Sequence, residues 1–169
     1  MAKKTDPEDT EFTRASDCAE LRERNYRQTL AAEKRHELLL APYGVSFQMV
    51  RTLIYLLRRP EGETPSRVAD DLMLLRQTMT NTVDALEKRA LVERIPNPGD
   101  RRSIMVRLTR EGTRLAQAVL MEEHRYTTRL YDHFTQEELD CYYRLRERMN
   151  EAKDTELTKI LEERDGPAK

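Results

Sequence analysis

Apolar residues recur along this chain first with a helical period, then with a strand period, then with a helical one again. From about Ser16 to Ala41 there is neither Gly nor Pro, and Ala, Leu, Glu and Arg dominate. That composition predicts a long helix ended by Pro42 and Gly44. Ser46 is the expected N-cap of a second helix, with Val45 placed to staple against Val50. This helix runs to about Arg59 and aligns Val50, Leu53, Ile54 and Leu57. Pro60-Glu61-Gly62-Glu63 breaks the chain, and Thr64-Pro65 opens a third helix with Val68, Ala69 and Leu72 on one face. A tight turn at Met73–Leu75 leads into a fourth helix over Arg76–Arg89, whose buried stripe is Met79, Val83 and Leu86.

Beyond that point the period becomes two. Leu91–Ile95 is apolar and β-prone, Pro96-Asn97-Pro98-Gly99 is a turn, and Ile104, Val106 and Leu108 alternate within Ser103–Leu108. The pattern predicts a β-hairpin with a long tip. Thr109 caps a fifth helix with the stripe Leu115, Val119, Tyr126, Leu130 and Phe134. Thr135 and Glu138 form a capping box for a sixth, striped by Leu139, Tyr142, Tyr143, Met149, Leu157, Ile160 and Leu161. The expected fold class is mainly α, with six helices and one β-hairpin. Residues 1–15 and 164–169 are polar, unpatterned tails.

Two short helices joined by a tight turn and followed at once by a hairpin describe a winged helix-turn-helix, spanning residues 46–112. In such a unit the second helix enters the DNA major groove. Its first turn offers Arg76, Gln77, Thr78, Thr80 and Asn81. Arg suits guanine, Gln and Asn suit adenine, and a Thr methyl suits thymine. Asp100, Arg101 and Arg102 sit at the hairpin tip, where an Asp two residues before an Arg is positioned to hold its guanidinium for the minor groove. Arg94 and Arg107, on the strands, are candidate phosphate contacts.

Charge sharpens this reading. The chain carries a formal net charge of −1 and 36% charged residues. Residues 76–110, however, hold eight cationic side chains against four carboxylates. A basic segment on an acidic frame attracts phosphate through one face. The mean hydropathy of −0.83 suits long amphipathic helices better than one compact globule. No apolar run approaches the ~20 residues of a membrane span, so a cytoplasmic protein without membrane contact is expected. Cys18 and Cys141 lack metal-ligand spacing, and no metal or cofactor is expected. His124 and His133 are nine residues apart, on opposite helix faces at ~100° per residue. No phosphate loop, zinc-protease or nucleophile-elbow motif is present, and an enzyme is not expected.

The stretch TPSRVADDLMLLRQTMTNTVDALEKRALVERIPNPGDRRSIMVRLTREG, residues 64–112, resembles the MarR family of bacterial regulators (multiple antibiotic resistance regulators). The Leu-Glu-Lys before the first strand, the Asp-Arg-Arg tip and the Leu-Thr-x-x-Gly after the second strand carry the likeness, which extends over about residues 20–163. The resemblance implies a homodimer. Residues 16–45 and 113–163 become N- and C-terminal helical dimerisation arms. Arg102 becomes the minor-groove arginine, Asp100 its orienting partner, and residues 76–81 the base readers. It further implies a repressor at a pseudo-palindromic operator in double-stranded DNA. Release by a small aromatic or amphipathic effector is expected, with Tyr26, Arg27, His36, Ser46 and Phe47 as candidate lining residues. Two alternatives remain open: an oxidant-sensing regulator of the same fold using Cys18, or a winged-helix protein-interaction module. The chain departs from the family pattern at Leu75, where a capping Ser is usual, at Ala90, where Gly is usual, and at Asn81, where Arg is common.

Overall fold

The computed structural model describes residues 7–100, 102–164 and 166, with side chains from Ser16 onward. Its elements are α1 (Pro7–Leu40), a 3₁₀ turn (Ala41–Tyr43), α2 (Phe47–Leu57), α3 (Pro65–Asp71), α4 (Arg76–Lys88), β1 (Val92–Pro96), β2 (Ile104–Leu108), α5 (Arg110–Tyr131) and α6 (Gln136–Arg164). The order is the one the hydrophobic pattern predicts. The first helix differs at its start, because it opens at Pro7 rather than near Ser16. Proline is tolerated in a first helical turn, and no Gly or further Pro interrupts the chain before Pro42. The tail read over residues 1–15 is therefore helical from Pro7. Residues 1–6, with 165 and 167–169 of the second tail, lie outside the described residues.

The caps form where local chemistry places them. Ser46 accepts the Met49 N–H at 3.3 Å, and Thr64 accepts that of Arg67 at 3.4 Å with Pro65 behind it. The Thr135–Glu138 box is reciprocal: Thr135 N–H reaches the Glu138 carboxylate at 2.8 Å, and Glu138 N–H reaches Thr135 Oγ at 3.3 Å.

The chain divides into two compact units, Met1–Glu122 and Glu123–Lys169. The core of the first joins Leu53 and Leu56 of α2, Val68 and Ala69 of α3, Met79, Val83 and Leu86 of α4, Val92 and Val106 of the hairpin, and Ala116 of α5. A second cluster of Leu40, Val45, Val50 and Val119 holds the end of α1. In the second unit no residue of α6 is buried. Tyr142, Met149, Leu157 and Ile160 all stand exposed along it. Phe134, placed on the fifth helix by its spacing, falls in the turn beyond Tyr131 and is exposed.

The hairpin pairs Val92 with Leu108 and Pro96 with Ile104 in antiparallel register. Glu63 adds a rung, exchanging backbone hydrogen bonds with Val106 at 2.8 and 3.0 Å. Gly62 makes this approach possible: at φ +91°, a Cβ there would lie 2.8 Å from the Val106 carbonyl oxygen. Ile104, two residues before Val106 on the same strand face, is nevertheless exposed. It lies out on the projecting tip, where the core no longer reaches.

Candidate nucleic-acid interface

The face of α4 opposite its buried stripe is built by spacing alone. Met79, Thr82, Val83 and Leu86 turn inward, so Gln77, Asn81 and Lys88 share the outer side. Gln77 donates to Asn81 Oδ1 at 3.0 Å, one helical turn away. Such a pair presents a linked amide surface on the exposed side of α4. Thr80 is exposed, its hydroxyl turned back to the Arg76 carbonyl at 3.0 Å. Thr78 is half-buried, because its position falls toward the core side of the helix. It is thus less available than its neighbours to a partner outside the chain. Lys88 was missed by a reading confined to the first turn, although the spacing 77, 81, 88 marks one helical face.

Arg76 bridges the two helices. Its guanidinium donates to Ser66 Oγ at 2.7 Å and lies 3.6 Å from Asp70, while remaining well exposed. At the other end of α4, Arg89 donates to the carbonyls of Gly44 at 2.6 Å and Tyr43 at 3.2 Å. It ties the helix to the turn before α2. An analogous brace holds the other side of the unit. Arg51 donates to the Leu72 carbonyl at 2.7 Å, and Asp71 accepts from Tyr55 at 2.7 Å and pairs with Arg67 at 3.2 Å. The Tyr55 hydroxyl, with help from Arg67 and Arg59, holds the Asp71 carboxyl below its ordinary range. Burial, then the same hydrogen bond, pushes the Tyr55 hydroxyl up.

The two expected phosphate contacts, Arg94 and Arg107, have carboxylate partners within the protein. Arg94 points from β1 onto α4, where it pairs with Glu87 and, at 2.5 Å, with Asp84. Arg107 pairs across the hairpin with Glu93 at 2.7 Å. The register places Glu93 opposite Arg107, so a cross-strand pair forms on the sheet face itself. Both guanidiniums are thus engaged within the protein. Among the described residues, Lys88, Arg102 and Arg110 are exposed cations of this region without an ion-pair partner.

The hairpin tip is organised by Asn97. Its side chain accepts the Gly99 N–H at 2.9 Å and donates to Ser103 Oγ at 2.8 Å. Asp100 behaves differently from its expected role. Its carboxylate accepts the backbone N–H of Arg102 at 2.9 Å, and no ion pair joins the two side chains among the described residues. A short carboxylate reaches a backbone two residues on at little entropic cost, whereas fixing the long Arg chain is expensive. Asp100 therefore shapes the turn, and Arg102 is exposed. Arg101, also expected at this tip, lies outside the described residues.

The candidate effector residues fall into two places. His36 and Phe47 meet with ring centroids 5.2 Å apart, and Ser46 adjoins them as the α2 cap. Tyr26 and Arg27 lie nine to ten residues back along α1, about 14 Å at 1.5 Å per residue. Tyr26 is exposed there and Arg27 pairs with Glu23 at 2.8 Å. Among the described residues no helix is long and apolar enough to cross a membrane.

Residues 43–103, which hold α2 through the hairpin tip, match the model of the MarR family. The chain is similar to the HTH-type transcriptional regulator PecS of Dickeya dadantii, at 34% identity over 100 residues, 58% of this chain and 60% of that protein. It spans a little over half the length of the curated relatives it matches, between 54% and 63%. Its fold is similar to that of the transcriptional repressor CouR bound to a 23-mer DNA duplex, with a TM-score of 0.65, 25% identity, and coverage of 74% of this chain and 88% of that one. It is also similar to the PcaV regulator of Streptomyces coelicolor in complex with its natural ligand, with a TM-score of 0.63, 22% identity and coverage of 75% and 91%. The helix-turn-helix and the wing thus lie in the part of the chain, residues 43–103, that matches the MarR family model.

Proposed function

We propose that the chain is a sequence-specific DNA-binding transcriptional regulator that acts as a homodimer and represses by occupying its operator. The observation that carries this reading is the outward face of α4 beside the wing, where Gln77, Asn81 and Lys88 stand exposed and Arg102 is exposed with no ion-pair partner among the described residues. The helix reads base edges in the major groove, with Arg76 and Thr80 at its margin. Arg102 enters the flanking minor groove from a tip shaped by Asp100. Residues 46–112 form the DNA-reading domain in this proposal, and residues 16–45 and 113–163 the dimerisation arms. Support for the arms comes from the apolar side chains exposed along α1 and α6, among them Leu30, Leu38, Leu157 and Ile160. A second copy of the chain is the partner that such self-complementary stripes fit. The repressor reading draws on the likeness to CouR, which is a repressor bound to DNA. A small aromatic or amphipathic effector acting near His36, Ser46 and Phe47 is part of the same proposal, supported by the ligand-bound PcaV neighbour. Operator binding places the protein in the cytoplasm.

Selection of bound duplexes from a random pool tests the proposal. The expected product is an inverted repeat whose half-sites lie about one helical turn, ~34–36 Å, apart. Recovery of unenriched sequence would overturn sequence-specific binding.

A further inference from the structure

The turn between α3 and α4 carries two large apolar side chains that none of the described residues covers. Met73 is 94% exposed and Leu75 78% exposed, while Leu74 between them packs against the core. Both sit where local chemistry favours a different residue. Met73 holds φ +54° at the closing position of α3, where Leu74 N–H returns to the Ala69 carbonyl at 2.8 Å and Met73 N–H to that of Asp70 at 3.1 Å. This is the left-handed position that glycine occupies without strain. Leu75 is the N-cap of α4 and makes no side-chain cap hydrogen bond. The two preceding helices of the same domain are capped by Ser46 and Thr64. A glycine at 73 and a serine at 75 would relieve strain, satisfy a helix donor and remove two apolar groups from water. Foregoing all three gains at one point, the entrance of the helix that carries Gln77 and Asn81, signals a contact made outside the chain.

The size and border of the patch identify the occupant. Two side chains are far too few for a standard protein interface of about 800 Å² per partner. The patch is continuous with the exposed polar face of α4, and next to it stands Arg76, braced by Ser66 and Asp70. In a helix-turn-helix this end of the second helix lies closest to the base edges. The apolar group that a base pair displays in the major groove is the thymine methyl. Resting on the DNA-binding reading above, we infer that Leu75, flanked by Met73, contacts a thymine methyl in each half-site. It thereby fixes a base that Gln77 and Asn81 do not read.

Deoxyuridine, which lacks only that methyl, tests the inference in the selected duplex. Replacing each thymine in turn should weaken wild-type binding about fourfold at one position per half-site, the value of one buried methyl. Leu75→Ser should bind the thymine duplex at least about fourfold more weakly and lose its sensitivity to that deoxyuridine. Its thermal midpoint should rise by about 2–4 °C, because serine caps the helix. Weaker binding by a more stable protein excludes misfolding as the cause. The inference is overturned if no deoxyuridine affects wild type more than Leu75→Ser. It is equally overturned if Leu75→Ser alters self-association in sedimentation while deoxyuridine has no effect, which makes the patch a protein contact. Failure of the wild type to select any duplex instead removes the DNA-binding reading itself.

Discussion

Gly112 is the position at which the junction between wing and α5 has least room. A Cβ built there lies 1.8 Å from the Leu91 carbonyl oxygen and 2.8 Å from its carbon, all of it backbone. Ordinary contact begins near 3.4 Å, so Gly112→Ala forces the first turn of α5 back by about 1.5 Å. That turn is held by Thr109, whose N–H donates to the Leu91 carbonyl at 3.1 Å and whose hydroxyl donates to the Ala90 carbonyl at 2.7 Å. The same hydroxyl accepts the Gly112 N–H at 3.0 Å. Losing the cap and a hydrogen bond costs about 1 kcal/mol each, and the forced displacement adds about 1–3 kcal/mol. The sum is about 3–5 kcal/mol, a large part of a typical stability of about 5–15 kcal/mol. Urea denaturation followed by circular dichroism should show a lower midpoint at unchanged slope, with a thermal midpoint down by about 10 °C. Gly99→Ala serves as the control, because its nearest neighbour stands at an ordinary 3.5 Å. The reasoning fails if Gly112→Ala unfolds at the same urea concentration as the wild type.

Ala90 closes α4 at φ +55°, with Leu91 N–H returning to the Leu86 carbonyl at 3.0 Å, so Ala90→Gly should stabilise the protein by about 0.5–1 kcal/mol. A midpoint that falls or stays fixed in urea contradicts this. Because the folded-state pKa of Asp71 is depressed, the group contributes stability above its unfolded value of about 3.9, and that contribution is lost as pH falls through the folded value. Tyr55→Phe removes the main cause of the depression, and its stability should change less steeply than wild type below about pH 4; parallel profiles refute the assignment. Arg94→Ala should cost about 1–2 kcal/mol, reduced by the partial exposure of Asp84 and Glu87, and weaken DNA binding without changing its salt slope. A shallower slope would return Arg94 to the phosphates.

What the sequence disclosed, and what it hid, follows from the range of each interaction. The caps at Ser46, Thr64, Thr109 and Thr135 involve partners three residues away, so they are written in local sequence. The stripe of α4 is likewise local, because periodicity alone decides which side meets a core. Arg94 and Arg107 were harder. A cation on a strand is equally a phosphate contact or half of an ion pair until register sets Glu93 opposite Arg107 and brings α4 under β1. The rung between Glu63 and Val106 joins residues 43 apart through one bridge, too short to leave a strand pattern. Asp100 shows a competition between two nearby partners, which the backbone N–H of Arg102 wins over the guanidinium. Met73 read as an ordinary turn residue, because its positive φ depends on how α3 closes.

The most direct test of the account is the salt dependence of binding to the selected duplex, measured for wild type and Arg102→Ala. Several phosphate contacts predict a steep linear fall of log K with log salt. With Arg102 in both half-sites, Arg102→Ala should bind at least about tenfold more weakly and lower the slope by about two, while sedimentation still shows a dimer. An affinity and slope equal to those of the wild type would contradict the assignment of the wing to DNA.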